Sequence, residues 1–187
     1  MSSDARQPRQ PRTRLGRWLE ADRIYTARLR LSEKPGPLRR LAAFLAHSGD
    51  SWFWVPGLAI AWLVSGQAVK LLAAELIAAI ALMALVVFAI KRRVRRERPK
   101  GEWGGLYRRA DPHSVPSGHA ARMALLAVLA VGLGPAWFAV LLLVWAPLVA
   151  LARVALGVHF LSDVIVGAAL GIVLGLALLV VFRLTFS

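Results

Sequence analysis

The chain has 187 residues, about one domain, and 58% of them are hydrophobic. That excludes an ordinary soluble domain and fits a protein of the bilayer. Its 24 Lys and Arg against 10 Asp and Glu give a net charge of +14; a nucleic-acid binder could be as basic but would not carry long apolar runs, so no nucleic-acid partner is expected and basic segments at a membrane surface account for the charge. With no cysteine, disulfides, thiolate catalysis and cysteine-ligated metals are excluded.

Residues 1–14 are rich in Pro, Arg and Gln and read as a disordered basic tail. The polar, Arg-rich start lacks the short apolar core and small-residue cleavage site of a secretory signal. Between residues 15 and 50, Trp18, Leu19, Ile24, Tyr25 and Leu29 are scattered among charges. After Pro35 and Pro37, Leu38, Leu41, Ala42, Leu45 and Ala46 follow helical spacing opposite Arg39 and Arg40. This predicts amphipathic helices over 15–50 lying at the membrane surface, although a helix packed on the rest of the protein has the same periodicity.

Apolar runs place membrane spans near 51–67, 69–90, 119–134, 137–156 and 162–184. Gly134-Pro135 makes a hairpin break between the third and fourth, and Pro147 falls inside the fourth. Glu75, inside the second, is either an intramembrane functional carboxylate or a side chain seeking the far interface or a neighbour. The expected fold is therefore all-α: an integral membrane helical bundle of about five transmembrane helices over 51–187, preceded by N-terminal interfacial amphipathic helices. Five spans put the N-terminal region, the 91–118 loop and the 157–161 turn on one side. All basic residues but Lys70 and Arg183 fall there. The positive-inside rule makes that side cytoplasmic, in a multi-pass protein of the cell (inner) membrane.

Three clusters share this side. In the first, "KRRVRRERP" from Lys91 to Pro99, a polybasic stretch would fix topology and gather anionic membrane lipids. Lys91 and Arg98 are also seven apart, two helical turns, which puts both on one helix face, with Pro99 ending the helix. In the second, Pro116 to His119, Ser117 is a candidate N-cap. The backbone N–H groups that follow, with Gly118 permitting close approach, make an anion site beside His119. A capping Ser-Gly with an interfacial histidine reads equally well. In the third, Arg153 ends a span, His159 sits in a turn, and Asp163 is four residues beyond it, a spacing that makes a carboxylate–imidazole hydrogen bond easy; an interfacial histidine with Asp163 stabilising a helix start is the alternative. Together the clusters bring Lys, Arg, a hydroxyl, backbone N–H groups and two histidines to one surface. That is a site for a tetrahedral oxyanion with an acid–base pair. No carboxylate cluster suited to magnesium is visible, so the positive charge has to come from Arg and Lys.

In order and spacing, K-x6-R-P (Lys91, Arg98, Pro99), P-S-G-H (Pro116–His119) and R-x5-H-x3-D (Arg153, His159, Asp163) resemble the type 2 phosphatidic acid phosphatase family, which shares its site with vanadium haloperoxidases. The departures are Ala152, where the family usually has Ser before the Arg, and residues 15–48 in place of a clear first span. The resemblance implies that His159 is the nucleophile and forms a phosphohistidine, that Asp163 orients it, and that His119 protonates the leaving oxygen and then activates water. It further implies that Lys91, Arg98, Ser117, Gly118 and Arg153 hold phosphate, with no metal and no cofactor. The expected partner is a lipid phosphate such as phosphatidylglycerophosphate, phosphatidic acid or a polyprenyl phosphate derivative. Trp103, Tyr107, Arg108 and Arg109 are expected at the pocket mouth, with His113 a loop histidine beside them. A vanadate-dependent haloperoxidase and a non-catalytic protein binding anionic lipid are the rival readings.

Overall fold

The computed structural model describes residues 13–100 and 111–186. They form seven helices: α1 (Arg14–Leu29), α2 (Pro37–Ser48), α3 (Ser51–Val64), α4 (Gln67–Val94), α5 (Gly118–Leu133), α6 (Ala136–Ala155) and α7 (Leu161–Phe186). The described residues contain no strand, only an isolated antiparallel bridge between Glu97 and His113. The fold is all-α, as the sequence predicts. Helices α4, α6 and α7 are long and apolar enough to cross a membrane, whereas α3 and α5 are apolar but shorter, with 14 and 16 residues.

Local sequence sets the helix ends. The Thr13 hydroxyl accepts a hydrogen bond from Gly16 N–H at 3.1 Å and starts α1. Pro37, whose fixed φ suits a first helical residue, starts α2. Gly134 and Pro135 separate α5 from α6, as the hairpin break predicts. Gly157, at φ +68° in the corner between α6 and α7, sits in backbone that favours glycine.

Helix α5 is the centre of the bundle and packs most extensively on α7 and then α6. Its Met123, Leu125, Leu126 and Leu129 are fully buried against Leu76 and Met83 of α4 and Leu142 of α6. Close approach of α5 and α7 requires Gly167 and Gly171: a Cβ at these positions would overlap the carbonyl oxygens of Ser117 and Ala121. Van der Waals packing of small residues is what brings helices together in lipid, where apolar burial gives little driving force. The outward faces are apolar, with Leu85, Leu143, Ile165, Val173 and Val180 exposed, the surface a bilayer accepts.

The N-terminal helices are packed onto one end of this bundle. Helix α2 buries Ala42 and Ala46 against Ala152, Leu156 and Val158, while Leu38, Leu41 and Phe44 remain exposed. It is thus both a packed helix and one with a free apolar face. From α1, Thr26 Oγ1 accepts from Leu161 N–H at 2.9 Å, and Asp22 Oδ1 accepts from Ser162 N–H at 3.0 Å. These bonds satisfy backbone donors that the start of α7 would otherwise leave open, and the Asp22 charge suits the positive end of the helix dipole. Glu75 is buried within α4, sixteen residues or about 24 Å along the helix from Lys91, and takes no part in the site.

Candidate active site

At the end of the bundle covered by α1 and α2, a cavity of about 430 Å³ is lined by Lys91, Arg98, Asp111, His113, Gly118, His119, Arg122, Arg153 and His159. Lys91, Arg98, Arg153 and His159 are each buried, as are Ser117 and Asp163 behind them. Burying three cations together is costly unless anions or hydrogen bonds compensate, so their partners define the site.

Arg98 organises one side. Its Nε donates to the Asp111 carbonyl at 2.8 Å and Nη2 to the Asp111 carboxylate at 2.8 Å. Its Nη1 donates to the Val158 carbonyl at 2.9 Å and to His159 Nε2 at 3.1 Å. Lys91 Nζ pairs with the same Asp111 carboxylate. A guanidinium has no lone pair to offer, so His159 Nε2 is the acceptor and the ring proton sits on Nδ1. Burial, together with the Arg153, Arg98 and Lys91 charges, pushes the His159 pKa well below the usual histidine range. The ring is therefore neutral, with its Nε2 lone pair turned toward the cations.

Two local expectations fail here. Lys91 and Arg98 do not share a helix face, because α4 stops at Val94 and Arg95 caps it in the left-handed conformation at φ 51°. They converge because the chain reverses and is pinned by the Glu97–His113 bridge and by Ser114 N–H donating to the Arg96 carbonyl at 2.8 Å. Asp163 does not hydrogen-bond His159 either: its Oδ2 lies 3.6 Å from Nδ1. His159 is in the turn before α7, so the two residues do not share a helical face, and the carboxylate is already engaged. Oδ2 accepts from Phe160 N–H at 2.8 Å and Oδ1 from Arg96 Nη1 at 2.8 Å.

Ser117 occupies the N-cap position of α5, but its side chain makes no capping bond, and its buried hydroxyl has no hydrogen-bond partner among the described residues. Its backbone is committed to α7 instead: Ser117 N–H donates to the Asp163 carbonyl at 2.9 Å. Gly118 lines the cavity, and a Cβ there would meet only Val87 at 3.6 Å, an ordinary contact. Internal packing therefore does not demand glycine at this position.

His119 opens α5 on the other side of the cavity. Its Nε2 bonds Asp50 Oδ1, while Asp50 Oδ2 accepts from His47 Nδ1 at 3.0 Å and from Trp52 Nε1 at 3.0 Å. Burial raises the Asp50 pKa, but the bonds from His119 and His47 outweigh it and hold the carboxyl well below the usual range. Arg122, one turn along α5, donates to the Gly49 carbonyl of the same corner.

Several of these residues carry no signal in the motif spacing. Asp50 stands before an apolar helix, where an N-cap is the ordinary explanation, yet it makes no capping bond. Arg96 is one arginine among several in the basic run, but it alone ties Asp163, Ser162 and Asp22 together and lies 4.1 Å over the Phe160 ring. Asp111 and Arg122 were equally unmarked. Trp103, Tyr107, Arg108 and Arg109 lie outside the described residues. Among those described, no group of three His, Asp or Glu gathers to hold a metal ion; the positive charge lining the cavity comes from lysine and arginine.

A buried cluster of cations with two imidazoles, at one end of an apolar helical bundle, is suited to holding a phosphate group at a membrane surface. Residues 72–186 match the PAP2 superfamily, and the chain belongs to it. The fold resembles that of a transmembrane PAP2-type phosphatidylglycerolphosphate phosphatase from Bacillus subtilis, with TM-score 0.72 and 23% identity over 94% of this chain and 90% of that one. It also resembles LpxE of Aquifex aeolicus, with TM-score 0.64 and 26% identity over 86% of this chain and 93% of that one. The protein is a membrane protein with a PAP2-type phosphatase fold.

Proposed function

We propose that this protein hydrolyses a phosphomonoester, or a diphosphate, on a membrane lipid without a metal, through a phosphohistidine on His159. The observation that carries this reading is the neutral, buried imidazole whose Nε2 faces Arg98, a cation that together with Lys91 already holds a carboxylate. Substrate phosphate takes the place of that Asp111 carboxylate among Lys91, Arg98 and Arg153. Ser117, with its unpartnered hydroxyl, and Gly118, which leaves the helix start open to close approach, complete the cradle.

The Nε2 lone pair attacks phosphorus and the bond from phosphorus to the lipid oxygen breaks. His119 gives that oxygen its proton, releasing the lipid alcohol. A water then attacks the phosphohistidine, His119 takes a proton from it, the P–N bond breaks, and inorganic phosphate leaves. Asp163, at 3.6 Å, stabilises the positive charge that His159 acquires on attack.

Phosphatidylglycerophosphate, phosphatidic acid and polyprenyl phosphate derivatives are the substrate classes we favour; the first is the substrate named for the Bacillus subtilis relative. The basic N-terminal helices pack at the site's end of the bundle, as the Arg30 bond to the Lys100 carbonyl at 2.8 Å and the Asp22–Arg96 ion pair show. That supports a site on the cytoplasmic face of the cell membrane, reached from anionic lipid, with 15–50 as interfacial helices on a 51–187 phosphatase domain.

The test is phosphate release from a panel of lipid phosphates by detergent-purified protein in EDTA, beside His159→Ala. Turnover by the wild type, with a dead mutant, is expected. Loss of activity in EDTA, or an active mutant, overturns the mechanism. Because the chain has no cysteine, a single cysteine placed in the 101–112 segment reports the membrane side. Labelling by an impermeant maleimide in intact cells would refute the cytoplasmic placement.

A further inference from the structure

We infer that Asp50 is the positioning carboxylate of His119: it holds the Nε2 proton, so that Nδ1 is the nitrogen that exchanges protons with the leaving oxygen and with water. The inference rests on the acid–base role proposed for His119 and adds to it the source of that histidine's orientation and charge.

The geometry is specific. Asp50 Oδ1 bonds His119 Nε2, and Asp50 Oδ2 is held by His47 and Trp52. An ionised carboxylate only accepts, so Nε2 carries a proton in either charge state of the ring. The remaining nitrogen, Nδ1, is then the one available to a substrate in the cavity that His119 lines. The surroundings also call for a carboxylate. Burial opposes a second proton on the His119 ring, the Arg153 and Arg122 charges add to it, and Asp50 is the anion in contact that works the other way. When phosphate is bound, His119 as imidazolium has Nε2–H on Asp50 and Nδ1–H on the lipid oxygen. The Nδ1 proton passes to that oxygen as the P–O bond breaks, while the Nε2 proton stays where it is. Water returns a proton to Nδ1 in the second step, so the cycle closes.

The corner that supplies Asp50 is also built to stay in place. Trp54 Nε1 donates to the Ser48 carbonyl at 2.9 Å, Trp145 Nε1 donates to Ser48 Oγ at 2.7 Å, and Arg122 grips the Gly49 carbonyl. Residues 47–52 lie outside the 72–186 segment that matches the superfamily, so the positioning group comes from the N-terminal part of this chain.

The test compares two substrates. An alkyl phosphate loses a poor alkoxide that must be protonated, whereas p-nitrophenyl phosphate loses a phenolate that needs no proton. General acid–base assistance contributes about 10²–10⁴-fold. Asp50→Asn is therefore expected to lower kcat/KM for the alkyl ester, which reports the steps through phosphohistidine formation and not the water step that both substrates share, about 100-fold, and to change kcat/KM for p-nitrophenyl phosphate about fivefold or less, with Asp50→Glu recovering part of the difference. His119→Ala, run in parallel, should show the same selectivity. If His119→Ala is selective and Asp50→Asn slows both substrates equally, or neither, the assignment of Asp50 falls alone. If His119→Ala is itself unselective, its acid role falls and takes the inference with it. A measurement on the unaltered protein covers the case of a variant that does not fold. The chain has four histidines, so nitrogen NMR of histidine-labelled protein resolves the His119 ring. The Nε2–H form with a strongly hydrogen-bonded proton is expected, and an Nδ1–H form would overturn the inference.

Discussion

The two imidazoles of the cavity are held in opposite ways. His159 lies in the turn before α7, and its carboxylate neighbour comes from four residues further on and stops 3.6 Å away. His119 opens α5, and its carboxylate comes from the α2–α3 corner, 69 residues away in sequence, in direct contact. Burial and the cations crowded around it keep the first ring neutral, which is the state the proposed nucleophile requires. The second ring is also buried beside cations, Arg153 and Arg122, but it alone has an anion in direct contact, on the side away from its free nitrogen, and that contact works against them in favour of a proton to give. On the proposed mechanism, one residue type acquires two chemistries from what the fold sets beside it.

The sharpest way to break this contrast is at Asp163. Asp163→Asn removes the charge while keeping the shape, and on the reading above kcat should fall about 10³- to 10⁴-fold with KM little changed, the scale seen when a histidine loses the carboxylate that orients it. Trapping of phosphohistidine should fall in proportion. A loss below about tenfold would mean that 3.6 Å is too far for Asp163 to matter, and that Arg98 alone sets the ring. The Asp50→Asn effect, about 100-fold and selective for poor leaving groups, comes next.

Arg96 separates charge from scaffolding on the His159 side. It links Asp163, Ser162 of α7 and Asp22 of α1. Burial raises the Asp22 pKa, but the bonds from Ser162 and Arg96 outweigh it and hold it below the ordinary carboxylate value. Arg96→Gln leaves Asp163 buried without its cation, and breaking a buried pair costs about 3 kcal/mol. The expected outcome is a lower unfolding temperature and an activity loss of about 10- to 100-fold, smaller than at Asp163 because Arg96 acts only through it. Wild-type stability in this variant would show that the α1–α7 link is incidental.

The same contrast explains what could be read from sequence. His159, Asp163, Arg153 and the Ser117–His119 run announce themselves by fixed short spacings, and the geometry of a turn followed by a helix start keeps such residues together. The apolar runs likewise place the helix ends to within a few residues, because length and hydropathy decide them. Asp50 and Asp111 have no such spacing to give them away. Each meets its partner through the packing of separate segments, and near an apolar helix a lone acid looks like a cap. Helical periodicity pairs Lys91 with Arg98 for a reason that does not hold: it requires a continuous helix, whereas Arg95 breaks the helix and the bridge between Glu97 and His113 brings Arg98 back.

Asp111 carries the comparison one step further, because it is a carboxylate that competes where Asp50 assists. It sits on the very cations, Lys91 and Arg98, that a substrate phosphate needs, and its side chain is 41% exposed. A dianionic phosphate has to displace it, so the apparent affinity is the intrinsic one reduced by the fraction of molecules in which the cations are open. Asp111→Ala should therefore lower KM for a lipid phosphate by about three- to tenfold, the smallest effect of the set, and leave kcat unchanged, since the carboxylate is gone from the cavity once phosphate is bound. The inhibition constant of inorganic phosphate should fall by the same factor, because it meets the same obstacle without a lipid tail. A rise in both constants would reverse the assignment: Asp111 would then be holding Lys91 and Arg98 apart in the arrangement that phosphate requires.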